Sequence, residues 1–393
     1  MFHQPVFEKS EFEGRYERAW EAMGTAGLDA IITYNPGNQF WLTGYMGSLS
    51  AKRFPEFSHH ALYPKVVLPR GGDPVIVGFV MPEETYRHET YVEDMRCVKP
   101  ALEENRPLAI KSVLNGLKLG KGRIGIDLGA YGGIVVPEYE NLKKALPHAE
   151  FVDCADLLYR LRMIKSAAEV SYLRMAVEIQ NNAFRKFIRR IGCRMSETEL
   201  MFTLFQCQAE AGATEAGIAM PWTHPGYSFF RAQFPDRLME PGDFQWIDGG
   251  ALYRGYCSDY DIIIAYGEPT AKQIKAFDDM GRIYRDALEH WRPGRKICDI
   301  AQDVRKVVKA HRQVDPLDGH FVGHNLGYEM VEKPWFGIGC PPDLTLEPNM
   351  VIAPEWFIKT PFGPMLFEEN FLVTDTGLER LTDYPSKLQV VPD

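Results

Sequence analysis

The sequence lacks the features that mark a membrane, secreted or nucleic-acid-binding protein. No apolar run approaches the ~20 residues needed to span a bilayer. The amino terminus shows no basic segment followed by an apolar core, so we expect no signal peptide. No basic run balances the net charge of −9, which argues against nucleic acid as a partner. We therefore expect a cytoplasmic protein with no membrane or nucleic-acid partner.

Cysteine is scarce, and its spacing is irregular. The seven cysteines are an odd number, and the sequence contains no Cys-x-x-Cys. This usage favours free thiols in a reducing compartment over a disulfide framework or a thiolate zinc site. What is present, 45% hydrophobic and 25% charged residues in a chain of 393, is typical of a folded protein with two or three domains.

Helical and strand patterns alternate in the first part of the chain. Ser10 and Glu13 form a capping-box pattern that predicts a helix ending at Gly27. A buried strand over 28–34 and a turn over 35–38 follow. Three further strands are predicted at Lys65–Leu68, Val75–Phe79 and Arg123–Asp127. A helical stretch is predicted around 111–117, before the last of these strands. This alternation predicts an α/β domain.

A seam over 159–166 precedes a second set of elements. A long amphipathic helix is predicted from about Val170 to Ile191. Two further helices begin at capping-box patterns, the first at Ser196 and Glu199 and the second at Thr270 and Gln273. A fourth helix is predicted from about Ile297 to His311. Strands are predicted between the second and third of these helices, and they contain Asp248 and Asp259.

The segment from Trp246 to Tyr260 indicates two short strands around a turn. Asp248 ends the first predicted strand, and Asp259, eleven residues later, lies on the second. A hairpin would bring the two side chains face to face, where two carboxylates repel each other unless a positive charge lies between them. The alternative is that one of them points to solvent.

Three later stretches can complete a metal site with these aspartates. His320 and His324 lie in Gly-His-Phe-Val-Gly-His-Asn-Leu-Gly, while Glu355 and Glu368 each interrupt or end an apolar, strand-like run. A carboxylate in such a run is costly to bury unless it is paired or binds metal. An exposed strand face or a salt bridge could explain each glutamate by itself. Four carboxylates and one imidazole together suit two divalent ions such as Mn²⁺, Fe²⁺, Co²⁺ or Zn²⁺.

The order of these residues resembles the pita-bread metallopeptidase family, which includes prolidase, aminopeptidase P, methionine aminopeptidase and creatinase. Leu42-Thr43-Gly44-Tyr45 resembles the creatinase-type N-terminal domain. The resemblance implies an α/β (α+β) protein with a creatinase-like domain over residues 1–160 and a pita-bread catalytic domain over 161–393, assembled as a homodimer. It also implies the ligands of two divalent metal ions: Asp248, Asp259, His324, Glu355 and Glu368.

The sequence departs from the family where the peptidases carry three additional histidines. His320 matches one of them, but Val331 occupies the position of the second. Arg231 falls near the third position, with His224 just upstream as an alternative. Val331 cannot donate a hydrogen bond to an oxyanion, whereas Arg231 can bind a substrate carboxylate. The arginine that commonly follows the second aspartate is Ile262 here.

The resulting hypothesis is a di-metal hydrolase of the Xaa-Pro peptidase kind, acting on an amide-type C–N bond in a dipeptide or a small N-acyl compound. Glu355 or His320 would move the protons. A second hypothesis is a non-peptidase that acts on a small osmolyte-like substrate, by creatine or ectoine hydrolysis or as a dimethylsulfoniopropionate lyase. A third is a non-catalytic binding protein. Trp335 or Trp356 could face the site and select the substrate, although core packing is the simpler explanation.

Overall fold

The structure is a computed structural model, and the chain divides into two compact units, Met1–Arg162 and Met163–Asp393. His224 and Arg231 lie outside the described residues, so their predicted roles stay predictions. No helix in the described part of the chain is long and apolar enough to cross a membrane. The structure describes residues 5–46, 64–78, 83–97, 105–129, 133–223, 236–311, 319–383 and 387–392.

The first unit is built around one mixed sheet. Its helices are α1 Lys9–Ala26, α2 Pro36–Thr43, α3 Glu83–Arg87, α4 Asn105–Gly116, α5 Val136–Ala145 and α6 Ala155–Met163, which ends at the boundary between the units. Its strands are β1 Ala30–Thr33, β2 Lys65–Pro69, β3 Val75–Gly78, β4 Met95–Cys97, β5 Arg123–Ile126 and β6 Glu150–Asp153. The strand order is β4-β3-β2-β1-β5-β6, with β1 antiparallel to β2 and parallel to β5.

Apolar side chains of this sheet pack on two helices that lie between its strands in sequence. Ile32 and Ile126 from β1 and β5 share one buried cluster with Ile110 and Leu114 of α4 and Leu142 of α5. All five side chains are inaccessible to solvent. The buried strands and the alternation predicted from the sequence are therefore present.

Two local predictions in this unit are wrong. Ser10 does not cap α1, because the helix already begins at Lys9 and Glu8 occupies the cap position without a side-chain hydrogen bond. The stretch over 35–38 opens α2 instead of forming an isolated turn. Asn35 accepts a hydrogen bond from the backbone N–H of Asn38 at 2.6 Å, and Pro36 lies in the first helical turn. Both residues are common at the start of a helix as well as in turns.

Over its described residues, the second unit combines four helices with two sheets. The helices are α7 Ala167–Ile188, α8 Glu197–Ala211, α9 Ala271–Leu288 and α10 Ile297–Ala310. The first sheet has the order β17-β10-β8-β7 with β9 paired to β8, and its strands are β7 Glu215–Thr223, β8 Phe244–Tyr253, β9 Tyr256–Cys257, β10 Tyr260–Tyr266 and β17 Gln389–Val391. The second has the order β12-β11-β13-β15-β16 with β14 paired to β13, and its strands are β11 Gly323–Asn325, β12 Glu332–Phe336, β13 Val351–Thr360, β14 Gly363–Glu368, β15 Phe371–Thr374 and β16 Gly377–Arg380.

Three helices of this unit begin where the sequence predicted, and α7 begins and ends three residues earlier, at Ala167 and Ile188. Ser196 and Glu199 form both hydrogen bonds of a capping box at α8, and Thr270 and Gln273 do the same at α9. A third capping box, at Ser166, opens α7. These caps satisfy backbone N–H groups that a helix leaves without an internal partner. Local signals thus set the starts of these three helices, whereas α10 begins at Ile297 without a side-chain cap.

Two cysteines that are distant in sequence meet in the second unit. Cys298 lies in the first turn of α10 and Cys340 follows β12, and their sulfur atoms are 2.8 Å apart. We expect oxidised glutathione to convert this pair to a disulfide. The two thiols are oxidised, and one glutathione disulfide is reduced to two glutathione molecules. Thiol titration and peptide mass spectrometry would measure the link. Cys298→Ser should show no Cys298–Cys340 link, and an oxidised wild type that keeps all seven of its thiols would contradict the prediction.

Candidate metal centre

A tight turn sets the register of the two strands that carry the aspartates. Arg254 and Gly255 form this turn with φ of 48° and 88°, and Tyr253 pairs with Tyr256 on either side of it. Counting outward from the turn, Asp248 on β8 pairs with Asp261 on β10. The expectation that Asp248 ends its strand and faces Asp259 is therefore wrong.

Asp259 nevertheless lies on the same face as the other two aspartates. It immediately precedes β10, and side chains two residues apart on extended backbone point to the same side. Asp259 is thus the diagonal neighbour of Asp248, while Asp261 is its direct cross-strand partner. The hairpin gathers three carboxylates instead of two.

The second sheet brings three further predicted residues together. On the antiparallel ladder of β13 and β14, Glu355 lies directly opposite Glu368. On the other edge of β13, His324 of β11 pairs with Ala353, two residues before Glu355. One strand therefore places the imidazole beside both glutamates.

These side chains converge on the imidazole. The Nε2 atom of His324 lies 3.4 Å from Glu355 Oε1, 3.4 Å from Glu368 Oε1 and 3.7 Å from Asp259 Oδ2. The potential ligand atoms form two groups, and within each group they lie within 4.8 Å of one another. The first group is Asp259, His324 and Glu368, and the second is Asp248, Asp261 and Glu368. Glu368 is common to both groups, as expected of a residue between two neighbouring cation sites.

The orientation of His324 leaves Nε2 available. Its other ring nitrogen, Nδ1, lies 3.0 Å from the carbonyl oxygen of Asn325 and donates a hydrogen bond to it. Metal-binding histidines commonly use the second nitrogen in this way, which fixes the tautomer. Burial lowers the pKa of His324, but the hydrogen bond to Glu355 and the charges of Glu355 and Asp259 outweigh this effect and raise it.

Carboxylates in the cluster are buried without enough hydrogen-bond donors. Asp259, Asp261 and Glu368 are at most 5% exposed. Burial above all, and then neighbouring carboxylates, raise the pKa of four carboxyls well above the usual range: Asp248, Asp259, Asp261 and Glu368. Oxygen atoms of all four side chains have no hydrogen-bond partner in the described structure. Such a donor set fits divalent cations, which would neutralise the charge and bind these oxygens.

Asn370 holds Asp259 in place, a role that no pattern in the sequence predicts. The backbone N–H of Asp259 donates to Asn370 Oδ1 at 3.0 Å, and Asn370 Nδ2 donates to the carbonyl oxygen of Asp259. Asn370 follows Glu368 by two residues and is fully buried. One short segment therefore connects a glutamate of the second sheet to an aspartate of the first.

The remaining predicted residues lie outside this cluster or in the core. His320 is exposed, and no contact among the described residues joins its side chain to the cluster. Trp356 is fully buried and stacks on Tyr284 with ring centroids 4.7 Å apart, so it is a core residue and does not select substrate. Trp335 is 49% exposed and packs edge-on against Phe321.

Comparisons with known proteins agree with this architecture. A family model described as metallopeptidase family M24 matches residues 171–375, and one described as the creatinase/prolidase N-terminal domain matches residues 15–164. The chain is 29% identical to an Xaa-Pro dipeptidase of Pyrococcus furiosus over 65% of this chain and 73% of that protein. It is 23% identical to the ectoine hydrolase of Halomonas elongata over 98% of both chains. The X-Pro aminopeptidase structure from Thermotoga maritima superposes with a TM-score of 0.78 at 20% identity, covering 96% of this chain and 99% of that one.

Together these findings define a hydrolase with a creatinase-type N-terminal domain and a pita-bread catalytic domain. The fold and enzyme class expected from the sequence are confirmed. The model of metallopeptidase family M24 matches just over half of the chain, and the chain belongs to that family.

Proposed function

We propose that this chain is a di-metal hydrolase that cleaves an amide-type C–N bond in a dipeptide or a small N-acyl compound, as an Xaa-Pro peptidase does. The observation that carries the proposal is the convergence of three carboxylate oxygens on Nε2 of His324, inside a cluster in which four carboxylates have oxygens without a hydrogen-bond partner. The Xaa-Pro dipeptidase relatives support it. The proposed ligands are Asp248, Asp259, His324, Glu355 and Glu368.

The residues of the cluster have different proposed roles in the reaction. Two divalent ions bound there (Mn²⁺, Fe²⁺, Co²⁺ or Zn²⁺) would polarise the amide carbonyl and acidify a water molecule. His324 offers Nε2 because Nδ1 is held by Asn325. Glu355, whose Oε1 lies 3.4 Å from His324 Nε2, is proposed both as a ligand and as the group that holds the proton of the attacking water and passes it to the leaving nitrogen.

Three further residues are proposed to handle the substrate. His320, and His224 as the alternative to Arg231, would donate hydrogen bonds to the reacting amide. Arg231 would bind the substrate carboxylate through its two parallel N–H groups. A carboxylate clamp suits a dipeptide, which ends in such a group.

A second candidate is the hydrolysis of a small osmolyte-like compound. The ectoine hydrolase relative aligns with 98% of this chain and 98% of its own length, and this nearly full-length similarity supports the alternative. Val331 favours it too, because an apolar side chain replaces a histidine that the peptidases use. The catalytic residues would be the same, and only the substrate contacts would differ.

A substrate panel separates the two candidates. The purified protein, loaded in turn with Mn²⁺, Co²⁺, Zn²⁺ or Fe²⁺, would be assayed on Xaa-Pro dipeptides, ectoine and creatine, with and without a chelator. We expect chelator-sensitive hydrolysis of a dipeptide, and turnover of ectoine instead would favour the second candidate. Glu355→Gln, whose amide oxygen can still bind metal weakly, should lose turnover even when it is loaded at high metal concentration. A fully loaded protein that hydrolyses none of these compounds would contradict the proposal.

Assembly and location belong to the same proposal. A homodimer and a cytoplasmic location are what we predict from the sequence and its resemblance. Analytical ultracentrifugation of the loaded protein should give the mass of two chains, which is twice 44.8 kDa. A single-chain mass at micromolar concentration would contradict the dimer.

A further inference from the structure

Asp261 is a buried carboxylate that the five-residue ligand set does not include. Its side chain is inaccessible to solvent, and neither of its carboxylate oxygens has a hydrogen-bond partner among the described residues. No lysine, arginine or histidine in the described part of the chain lies within salt-bridge distance of it. An unpaired carboxylate in such a place is among the most costly groups to bury.

The surroundings of Asp261 point to a cation as the missing partner. Its cross-strand neighbour is Asp248, and the ligand atoms of these two aspartates and Glu368 lie within 4.8 Å of one another. The following residue, Ile262, faces a different environment and packs in an apolar core cluster. The strand thus directs Asp261, and not its neighbour, toward the acidic face.

The two ligand groups differ in chemistry. Asp259, His324 and Glu368 offer oxygen and an imidazole nitrogen, whereas Asp248, Asp261 and Glu368 offer oxygen only. Oxygen-only sites suit hard cations such as Mn²⁺ and Mg²⁺, while an imidazole also suits Zn²⁺, Co²⁺ and Fe²⁺. The shared glutamate leaves each site with two ligands of its own.

We propose that Asp261 is a sixth metal ligand, which with Asp248 and Glu368 forms an oxygen-only site for a hard divalent cation. This inference rests on the proposed function. It adds one negative charge to the donor set and makes the two sites unequal: the oxygen-only site takes Mn²⁺, and the imidazole-containing site retains its cation when Asp261 is lost.

Metal titration of a neutral variant tests the assignment. Isothermal titration calorimetry and metal analysis would compare the wild type with Asp261→Asn and with Asp261→Ser, since an asparagine oxygen can still bind weakly. We expect two Mn²⁺ per wild-type chain and, in the serine variant, one site weakened at least about tenfold while the other keeps its affinity. Asp278→Asn, on the exposed face of α9, is a control with the same change of charge.

Thermal melting of the metal-free proteins gives a second, independent measurement. A ligand without a partner contributes nothing to the metal-free fold, so the metal-free variants should melt no lower than the metal-free wild type. If wild type and Asp261→Ser both bind two Mn²⁺ with equal affinity, or if the metal-free variants melt lower, Asp261 is not a ligand, and the proposed function remains intact. If the wild type binds no metal, both the inference and the proposed function fail.

Discussion

His324→Ala is expected to remove metal from the imidazole-containing site and to lower kcat/KM about 1000-fold or more, a loss of about 4 kcal/mol of transition-state stabilisation. The imidazole is the nitrogen donor of the proposed ligand set, and its Nε2 lies 3.4 to 3.7 Å from three carboxylate oxygens. Alanine leaves those carboxylates facing one another with no nitrogen to complete the site. Metal analysis of the dialysed protein and steady-state kinetics would measure both effects.

The matched control is a histidine far from this chemistry in the chain. His148 is exposed in the first unit, and His148→Ala should leave metal content and kcat/KM at wild-type values. Circular dichroism would establish that both variants are folded. A folded His324→Ala protein that retains its metal and its turnover would refute the proposed centre.

The register of one hairpin explains why Asp248 and Asp259 were predicted as site residues and Asp261 was not. The spacing of eleven between Asp248 and Asp259 drew attention to that pair, yet equal steps outward from the Arg254–Gly255 turn lead from Tyr253 to Asp248 and from Tyr256 to Asp261. A two-residue turn fixes cross-strand pairs in this way. The turn was therefore a signal in the sequence that could have identified Asp261.

Local signals predicted the helices well in one unit and poorly at two points in the other. The capping boxes at Ser196 and Thr270 are formed because each involves residues three positions apart on the same helix. Ser10 has the same pattern but lies inside α1, since the chain becomes helical one residue before it. At Asn35, turn and helix start share the same residue preferences, and packing decides between them.

Contacts between segments that are distant in the chain could not be predicted from the sequence. Asn370 binds the backbone of Asp259 across 111 positions, and a lone asparagine after two glutamates gives no sign of that partner. The burial of Trp356 has the same origin, because Tyr284, on which it stacks, lies on a helix 72 positions earlier. Order and residue type predicted the cluster, whereas its supporting contacts depend on how the two sheets are assembled.

Gly323→Ala is expected to lower the free energy of unfolding by about 3 kcal/mol or more. Gly323 has φ of 135°, a backbone conformation that side-chain-bearing residues rarely adopt. A Cβ atom there would collide with the carbonyl oxygen of Ala353 and lie 2.9 Å from the Cα atom of Pro354. These are backbone atoms of β13, so β11 must shift away from the strand that carries Glu355.

The displacement should reach the metal centre, because His324 is the next residue. We expect Gly323→Ala to lower the melting temperature and to weaken metal binding at the imidazole-containing site, as thermal denaturation and metal titration would measure. Gly339→Ala is the control, since an added Cβ atom meets nothing within 4 Å there and stability should change by less than about 0.5 kcal/mol. Wild-type stability and metal affinity in Gly323→Ala would mean that the close approach of β11 and β13 does not position His324.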